Sequence, residues 1–240
     1  MLVEPRESSN VGASARAMKN MGFRNLCLVK SCELDEEAER LAHNALDVLD
    51  KARIYASLSD AVSDQSFVVA VARRTGKKRG MVLTLRQGVR RIYDLASENR
   101  VALLFGREDR GLYNEEVNEC GLLLTIPANK EQPSLNLSHA VMVVAYELSM
   151  MQYSEAPVEV PVQSKRRRGD HINHGELAAL FERMSSIMVL LDYMPRGDRN
   201  LKKQIMDNLK QFIGRAGLTS SEMKMLHGFC SQVERKLGTR

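Results

Sequence analysis

The 240-residue sequence predicts an α/β protein with a mostly parallel sheet, followed by a small domain made only of helices. Two observations lead to this fold class. Short apolar runs rich in branched residues alternate with helical patterns through residues 1–153, whereas residues 173–240 carry helical patterns and no strand-like run. Such runs are typical of strands buried on both faces, as in parallel sheets with right-handed crossovers.

Four apolar runs, each bounded by Gly, Pro or charged residues, predict the strands: Leu26–Val29, Phe67–Ala72, Val101–Phe105 and Leu122–Ile126. Branched side chains favour strands because they pack well on a pleated surface. Leu2 and Val3 have the same character, and their brevity indicates a first strand cut short at the N-terminus.

Helical patterns fill the intervals between these strands. Apolar residues recur at helical spacing from Val11 to Met18, and this helix is expected to end at Gly22, a residue type favoured at C-terminal caps. Residues 35–49 and 137–151 are amphipathic with the same period, and each stretch predicts a further helix.

The composition changes after Tyr153. Residues 154–172 are polar, contain prolines and include a run of consecutive bases, which predicts a linker. We expect residues 1–153 to form the first domain and residues 173–240 to form a helical C-terminal domain. The net charge of +5 lies entirely after residue 153, and this asymmetry favours a polyanionic partner.

Three helices are predicted in the C-terminal domain, over Gly175–Tyr193, Asn200–Ala216 and Ser220–Leu237. The third begins with a capping-box pattern, in which Thr219 is the N-cap and Glu222 follows three residues later. Reciprocal hydrogen bonds between these two residues would satisfy backbone N–H groups at the start of the helix.

Composition excludes several classes of protein. No apolar run approaches the roughly 18 residues of a membrane-spanning helix, and the N-terminus lacks the basic flank and apolar core of a signal peptide. The cysteines do not show C-x-x-C spacing: Cys27, Cys32, Cys120 and Cys230. We therefore expect reduced thiols, a cytoplasmic location and no structural metal.

Three polar stretches lie where a predicted strand ends and a helix begins. The first contains Asn10, Gly12 and Arg16. Asn10 is a candidate helix cap and Gly12 a candidate for close helix–sheet packing. Arg16 lies among three alanines. It is either an exposed structural arginine or a clamp whose planar guanidinium binds phosphate or carboxylate.

The second and third stretches follow the strands at Val101–Phe105 and Leu122–Ile126. Gly106 would let a ligand approach the backbone, and Glu108 could accept a hydrogen bond or anchor a neighbouring loop; the alternative is a plain turn with solvated charges. Ser134 is a candidate N-cap, and the polar residues after it exceed what one cap requires. Their amides and hydroxyls are suited to an adenine and a ribose.

Ligands of α/β sheets bind at the carboxyl ends of the strands, so these three stretches predict one pocket built from loops. The sequence contains neither G-x-G-x-x-G nor G-x-x-x-x-G-K-[ST]. Their absence disfavours a nicotinamide-dependent enzyme and a phosphate-binding loop of the nucleotide-triphosphatase kind.

The three stretches, in this order, resemble the three motifs of the SpoU/TrmH branch of the SPOUT methyltransferases. Residues 175–193 and 218–236 resemble the C-terminal part of the TrmJ-type tRNA 2′-O-methyltransferases. The resemblance implies a deep trefoil knot, whose threaded chain forms the S-adenosylmethionine pocket. It also implies an obligate homodimer in which each active site is built from both subunits.

By motif position, the resemblance implies catalytic roles for Arg16, Asn10, Glu108, Ser134 and Asn136. It implies a cofactor pocket formed by Val71, Ala72, Arg73, Leu104, Gly106, Ile126, Ser134, Leu135 and Asn136. The loop after Val69 departs from the TrmJ pattern, which has small hydroxyl residues there. Contacts at Val71 and Ala72 would therefore fall to backbone groups.

The segment from Gln65 to Tyr93 contains many bases and no acid, which favours an anion-binding surface over a solvated face. Together with the basic run of the linker, the candidate RNA-binding residues are Arg73, Arg74, Lys77, Lys78, Arg79, Arg86, Lys165, Arg166, Arg167 and Arg168. The sequence has no Trp and 5% aromatic residues, so phosphate contacts and RNA shape should dominate over base stacking.

The implied reaction transfers the methyl group of S-adenosylmethionine to a ribose 2′-hydroxyl, at nucleotide 32 of the tRNA anticodon loop. Arg16 would either remove the hydroxyl proton, a role that a guanidinium performs poorly because it holds its own protons tightly, or orient a phosphate and stabilise the developing alkoxide. The alternatives are a ribosomal RNA 2′-O-methyltransferase on the same fold and a non-catalytic RNA-binding protein.

Overall fold

The structure is a computed structural model that describes residues 1–73, 82–154, 172–191, 193 and 199–237. Within these residues a seven-stranded sheet is covered by helices on both faces, and three C-terminal helices pack beside it. The strands are β1 (Leu2–Val3), β2 (Cys27–Val29), β3 (Arg53–Tyr55), β4 (Phe67–Val71), β5 (Val82–Thr84), β6 (Val101–Phe105) and β7 (Leu122–Thr125).

All neighbouring strands are parallel, and their order across the sheet is β3-β2-β1-β6-β4-β7-β5. The parallel α/β class predicted from the apolar runs is confirmed. The order places β4 between β6 and β7. The residues predicted to form the cofactor pocket follow β4, β6 and β7. These three strands are therefore neighbours in the sheet.

The helices include α1 (Ser8–Asn20), α2 (Glu36–Ala42), α3 (Leu46–Asp50), α4 (Leu58–Val62), α5 (Leu85–Ala96), α6 (Asn114–Asn118), α7 (Leu137–Ser154), α8 (His174–Leu190), α9 (Arg199–Ala216) and α10 (Ser220–Leu237). The helices predicted from residue 137 onward are confirmed with small differences at their ends. The capping box is also confirmed: Thr219 N donates to Glu222 Oε2 (2.8 Å) and Glu222 N donates to Thr219 Oγ1 (3.3 Å).

The predicted strands are confirmed to within one residue at each end, but β3 and β5 were not predicted. Both are three residues long, and they form the two edges of the sheet. In β3 the side chain of Ile54 is 69% exposed. An edge strand that is exposed in this way lacks the continuous apolar run that identifies a buried parallel strand.

The helix predicted over residues 35–49 is interrupted. α2 ends at Ala42, a 3₁₀ turn spans His43–Ala45, and α3 begins at the next residue. His43 has φ 50°, in the left-handed region, which a continuous right-handed helix cannot contain. The start of α2 is capped by Asp35, whose Oδ1 accepts from Ala38 N (3.2 Å) and from Ser8 Oγ (2.6 Å).

Alternate strand residues enter two apolar clusters, one on each face of the sheet. Leu2, Val69 and Leu124 pack with side chains of α1, α5 and α7. Val3 and Ala70 pack on the opposite face with side chains of α4 and α6. Burial on both faces explains why the sequence shows uninterrupted apolar runs and no alternation.

The C-terminal helices enclose small apolar clusters of their own and dock on the sheet through α9. A Cβ atom placed on Gly121, just before β7, would lie 2.0 Å from the carbonyl oxygen of Gly214 in α9. Beside this close approach, Lys210 Nζ lies 2.6 Å from Glu119 Oε1. Along the described segments, no helix combines the length and hydropathy needed to cross a membrane.

Gly12 packs against α2, and not against the sheet as its sequence context predicted. A Cβ atom at Gly12 would lie 2.0 Å from the carbonyl oxygen of Ala38. We expect Gly12→Ala to lower the free energy of unfolding by about 1–3 kcal/mol, the usual range for overpacking. Urea denaturation followed by circular dichroism measures this change.

Gly228→Ala is the matched control, because Gly228 is also helical and a Cβ atom there meets no atom within 4 Å. This variant should leave the free energy of unfolding unchanged or raise it by about 0.5–1 kcal/mol. Equal stability of the two variants would contradict the close contact between α1 and α2.

Candidate active site

The carboxyl ends of β4, β6 and β7 meet at one edge of the sheet, and a cavity of about 150 Å³ lies there. A single water needs roughly a tenth of this volume, so the cavity is suited to a small-molecule ligand. Three segments, one after each strand, line it: Val71–Arg73, Phe105–Leu112, and a third that includes Ile126, Pro133–Leu135, Leu137 and Ala140.

Eight of the residues that were predicted to contact a cofactor or take part in catalysis line this cavity: Val71, Ala72, Arg73, Gly106, Glu108, Ile126, Ser134 and Leu135. Leu104 does not; its side chain is fully buried in the apolar cluster on the α6 face. Asn10, Arg16 and Asn136 also lie outside the lining. Asn10 donates a hydrogen bond to Glu108, and Asn136 donates one to Asn10.

The loop after β6 folds tightly around its own backbone. Arg107 N donates to Gly111 O (3.2 Å), and Gly111 N donates to Arg107 O (2.8 Å). A Cβ atom on Gly106 would lie 2.2 Å from the carbonyl carbon of Gly111, so glycine is required for the loop to close. The closed loop presents its backbone along one wall of the cavity.

Glu108 anchors the segment between β1 and α1, one of the roles considered for it from sequence. Its Oε2 accepts from Arg6 N (3.0 Å) and its Oε1 accepts from Glu7 N (3.4 Å). These donors lie at the N-terminus of α1, where backbone N–H groups have no partner within the helix. A carboxylate is stabilised there by the partial positive charge of the helix end.

Asn10 is a connecting residue and not the helix cap considered from sequence. α1 begins at Ser8 with Glu7 as its N-cap, which places Asn10 inside the first turn. Asn10 Nδ2 donates to Glu7 Oε2 and to Glu108 Oε1 (both 3.0 Å). Asn10 is 6% exposed, so both its donor and its acceptor need partners.

Asn136 supplies the partner for the Asn10 acceptor and also caps α7. Its Nδ2 donates to Asn10 Oδ1 (2.8 Å), and its Oδ1 accepts from Ser138 N (2.9 Å). The prediction of Ser134 as the N-cap is wrong, because the helix begins three residues later and Asn136 occupies the capping position. The exposed Ser134 lines the cavity.

Arg16 is exposed on α1, and it forms no hydrogen bond or ion pair with any residue that the structure describes. It does not line the cavity of its own chain. Its guanidinium donors are therefore available for a group from outside the described chain, and both interpretations of Arg16, the exposed structural arginine and the clamp, stay open.

Few of the predicted RNA-binding residues fall within the described chain. Arg73 lines the cavity and is exposed, and Arg86 is exposed near the start of α5. Two neighbours in the same basic segment are engaged elsewhere, since Arg90 pairs with Asp94 and Arg91 donates to the carbonyl of Arg215. The remaining predictions lie outside the described residues: Arg74, Lys77, Lys78, Arg79, Lys165, Arg166, Arg167 and Arg168.

Sequence reasoning missed Arg107, which is 3% exposed and lines the cavity beside Glu108. Its guanidinium contacts the carboxylates of Glu4 and Glu116. Arginine is almost never buried without such partners. The available signal was an arginine inside a tight glycine turn with Glu116 nine positions later. Only the fold shows that Glu4, 103 positions earlier, meets the same guanidinium.

A sequence model of the SpoU rRNA methylase family matches residues 1–146. The chain belongs to the SpoU rRNA methylase family. The tRNA (cytidine/uridine-2′-O-)-methyltransferase TrmJ of Yersinia pestis (strain Pestoides F) is 32% identical to this SpoU member over 98% of this chain and 91% of its own length. An uncharacterised tRNA/rRNA methyltransferase of Haemophilus influenzae is 32% identical over 99% of this chain and 94% of its own.

Solved structures of SpoU family relatives share the fold. The crystal structure of TrmJ from Z. mobilis ZM4 superimposes with a TM-score of 0.80 at 29% identity and covers 97% of both chains. The match extends over the C-terminal helices as well as the sheet. The similarity of this SpoU member to that protein therefore includes the whole arrangement and not only the family motifs.

Asn136→Asp separates the two roles of Asn136. The remaining oxygen keeps the cap on α7, but an acceptor replaces the donor that faces Asn10 Oδ1. Two acceptors in contact leave one group unsatisfied, so we expect the free energy of unfolding to fall by about 1–3 kcal/mol. Helix content by circular dichroism should stay the same, and chemical denaturation measures the loss.

Asn173→Asp provides the control, because Asn173 caps α8 by accepting from Glu176 N (2.9 Å). Asp is as good an N-cap as Asn, so this variant should be as stable as the parent protein. If Asn136→Asp were equally harmless, the hydrogen bond between Asn136 and Asn10 would not hold the loops together.

Proposed function

We propose that this SpoU family member is an S-adenosylmethionine-dependent 2′-O-methyltransferase that acts on tRNA. The observation that carries the proposal is the closure of three distant motif segments around one cavity at the strand ends. Similarity along 98% of the chain to a tRNA (cytidine/uridine-2′-O-)-methyltransferase supports the substrate class. The ribose of nucleotide 32 in the anticodon loop is the proposed target, on the basis of the TrmJ resemblance.

The lining of the cavity suits the chemistry of S-adenosylmethionine. The tight turn at Gly106 brings backbone groups to one wall, where they can hydrogen-bond a nucleoside. Apolar side chains of Val71, Ile126 and Leu135 offer a surface for the adenine ring. The carboxylate of Glu108 lies on the same lining and is complementary to a cationic ligand.

When bound, S-adenosylmethionine would supply a methyl group that its sulfonium makes electrophilic. The contribution of the protein is to orient the two reactants, which accounts for much of the rate in such transfers. We assign Arg16 the role of holding the phosphate beside the target ribose, because its guanidinium is exposed and has no described partner. Asn10 and Glu108 hold the first turn of the helix that carries Arg16.

Arg73 at the cavity and Arg86 on α5 are the described residues that we propose for phosphate contacts. Neutralising RNA phosphates releases bound counterions, so RNA binding should weaken as salt rises.

The proposed division into residues 1–153, a linker and a helical domain at 173–240 is supported by the separate apolar clusters of the C-terminal helices. A cytoplasmic location follows from the proposed tRNA substrate.

We also propose a knotted homodimer. The knot is proposed from the resemblance to the SPOUT methyltransferases. The position of Arg16 supports the dimer. It is exposed and lies outside the cavity of its own chain, so it is available to complete the cavity of a second subunit.

Methyl transfer to a panel of tRNA and ribosomal RNA transcripts, with ribose methylation mapped by nucleotide, tests the reaction and the target. We expect a 2′-O-methyl group at position 32 of tRNAs that carry cytidine or uridine there. If only ribosomal RNA is methylated, the substrate is ribosomal RNA and the proposed tRNA substrate is wrong. Failure of the protein to bind S-adenosylmethionine by calorimetry would favour a binding protein without catalysis.

Mixing two inactive variants tests whether the active site is shared. Arg16→Ala removes the proposed clamp, and Gly106→Ala disrupts the cavity wall because its Cβ atom clashes with Gly111. In a dimer with shared sites, each mixed dimer contains one intact site, so random exchange should restore about a quarter of the parent activity. Light scattering should show a dimer for both variants.

Restoration occurs only if Arg16 acts on the partner subunit. A mixture that stays inactive, although subunit exchange is demonstrated with labelled chains, would place Arg16 in the site of its own chain. If light scattering shows a monomer, no active site can be shared between two subunits.

A further inference from the structure

Arg107 carries a buried charge at the lining of the cavity. Its side chain is 1% exposed. Nη2 lies 2.7 Å from Glu4 Oε2 and 2.9 Å from Glu116 Oε1, Nε donates to Glu4 Oε2 (2.9 Å), and Nη1 donates to Glu116 Oε2 (3.0 Å). The guanidinium also stacks on the ring of Tyr113, 3.9 Å from its centroid.

The contacts stabilise the buried charge of Arg107. Burial alone would lower the pKa of Arg107, but the hydrogen bonds with Glu116 and Glu4 outweigh it and raise the pKa above the ordinary value. A planar fork can bond two carboxylates at once, which an ammonium group cannot do with the same geometry. The side chain therefore has one arrangement in this site.

The partners of Arg107 belong to different elements. Glu4 follows β1 directly, and Glu116 lies in α6, where its Oε2 also accepts from Tyr113 N (2.7 Å). Glu4 has φ 48°, a left-handed conformation that costs a non-glycine residue free energy. The ion pair with Arg107 offsets this cost and fixes the chain direction just before the segment that reaches Glu108.

Arg107 and Glu108 are consecutive, and both join the loop after β6 to the segment between β1 and α1. Arg107 binds the carboxylate of Glu4, whereas Glu108 binds the backbone of Arg6 and Glu7. We propose that Arg107 is a positioning residue for cofactor binding: its paired carboxylates fix the loop at 106–112, which forms a wall of the cavity. This inference rests on the proposed function.

The test compares Arg107→Lys with Arg183→Lys. Arg183 also makes a two-point ion pair, with Glu234, but in the C-terminal helices away from the cavity. Calorimetry gives the Kd for S-adenosylmethionine, thermal unfolding gives Tm, and hydrogen exchange reports on the loop at 106–112. Lysine keeps the charge and loses the fork in both variants.

We expect Arg107→Lys to weaken S-adenosylmethionine binding by about tenfold, which corresponds to about 1.4 kcal/mol of binding free energy, and to speed exchange at 106–112. KM for the cofactor should rise, while KM for tRNA stays unchanged. Arg183→Lys should leave Kd and exchange at this loop as in the parent protein, although its Tm falls.

A lower Tm for Arg107→Lys with an unchanged Kd would overturn the proposal, since Arg107 would then only stabilise the fold. If that variant does not fold, Glu4→Gln provides the test, because glutamine keeps the shape of the Glu4 side chain and removes the charge that pairs with Arg107. An unchanged Kd in Glu4→Gln would equally overturn it. A parent protein that binds no S-adenosylmethionine would instead refute the proposed function, and this inference with it.

Discussion

The site depends on a chain of side-chain hydrogen bonds that runs from Asn136 through Asn10 to Glu108. These bonds join residues 126 and 98 positions apart in the sequence. Asn10 can occupy the middle because an amide both donates and accepts. Each link fixes the end of one element to another: the start of α7, the first turn of α1 and the loop after β6. These links join three loops at the edge of the sheet, in addition to the contacts of Glu108 with the backbone of Arg6 and Glu7.

Charged groups of both signs lie at the cavity. The buried Arg107 lies between two carboxylates, and its neighbour Glu108 accepts from the backbone at the N-terminus of α1. At the rim, Asp109 lies within ion-pair distance of Arg6 and Arg110. In the proposed reaction, carboxylates close to the cavity complement a cationic cofactor and arginines at the rim complement RNA phosphates. The same arrangement separates the two ligands by charge.

Much of the fold could be predicted because its causes are local. Strands buried on both faces give continuous apolar runs, and helices give a period of 3.6 residues, so both are visible within short windows. The misses have local causes as well. β3 and β5 are short edge strands without such runs, and the left-handed His43 breaks a helix whose apolar pattern continues through it. The cavity segments were also found from sequence, since polar residues after buried strands mark the edge where ligands bind.

The sequence by itself determined the parallel sheet, the helical C-terminal region, the family motifs and most of the segments around the cavity. Only the tertiary structure decided which polar residue does what. Asn136 and not Ser134 caps α7, Asn10 bridges loops, and Arg107 is buried with Glu4 and Glu116. The physical reason is that the role of such a side chain depends on partners that the fold brings to it: Glu4 lies 103 positions from Arg107, and Asn10 lies 126 positions from Asn136. Local periodicity carries no information on which distant groups will meet.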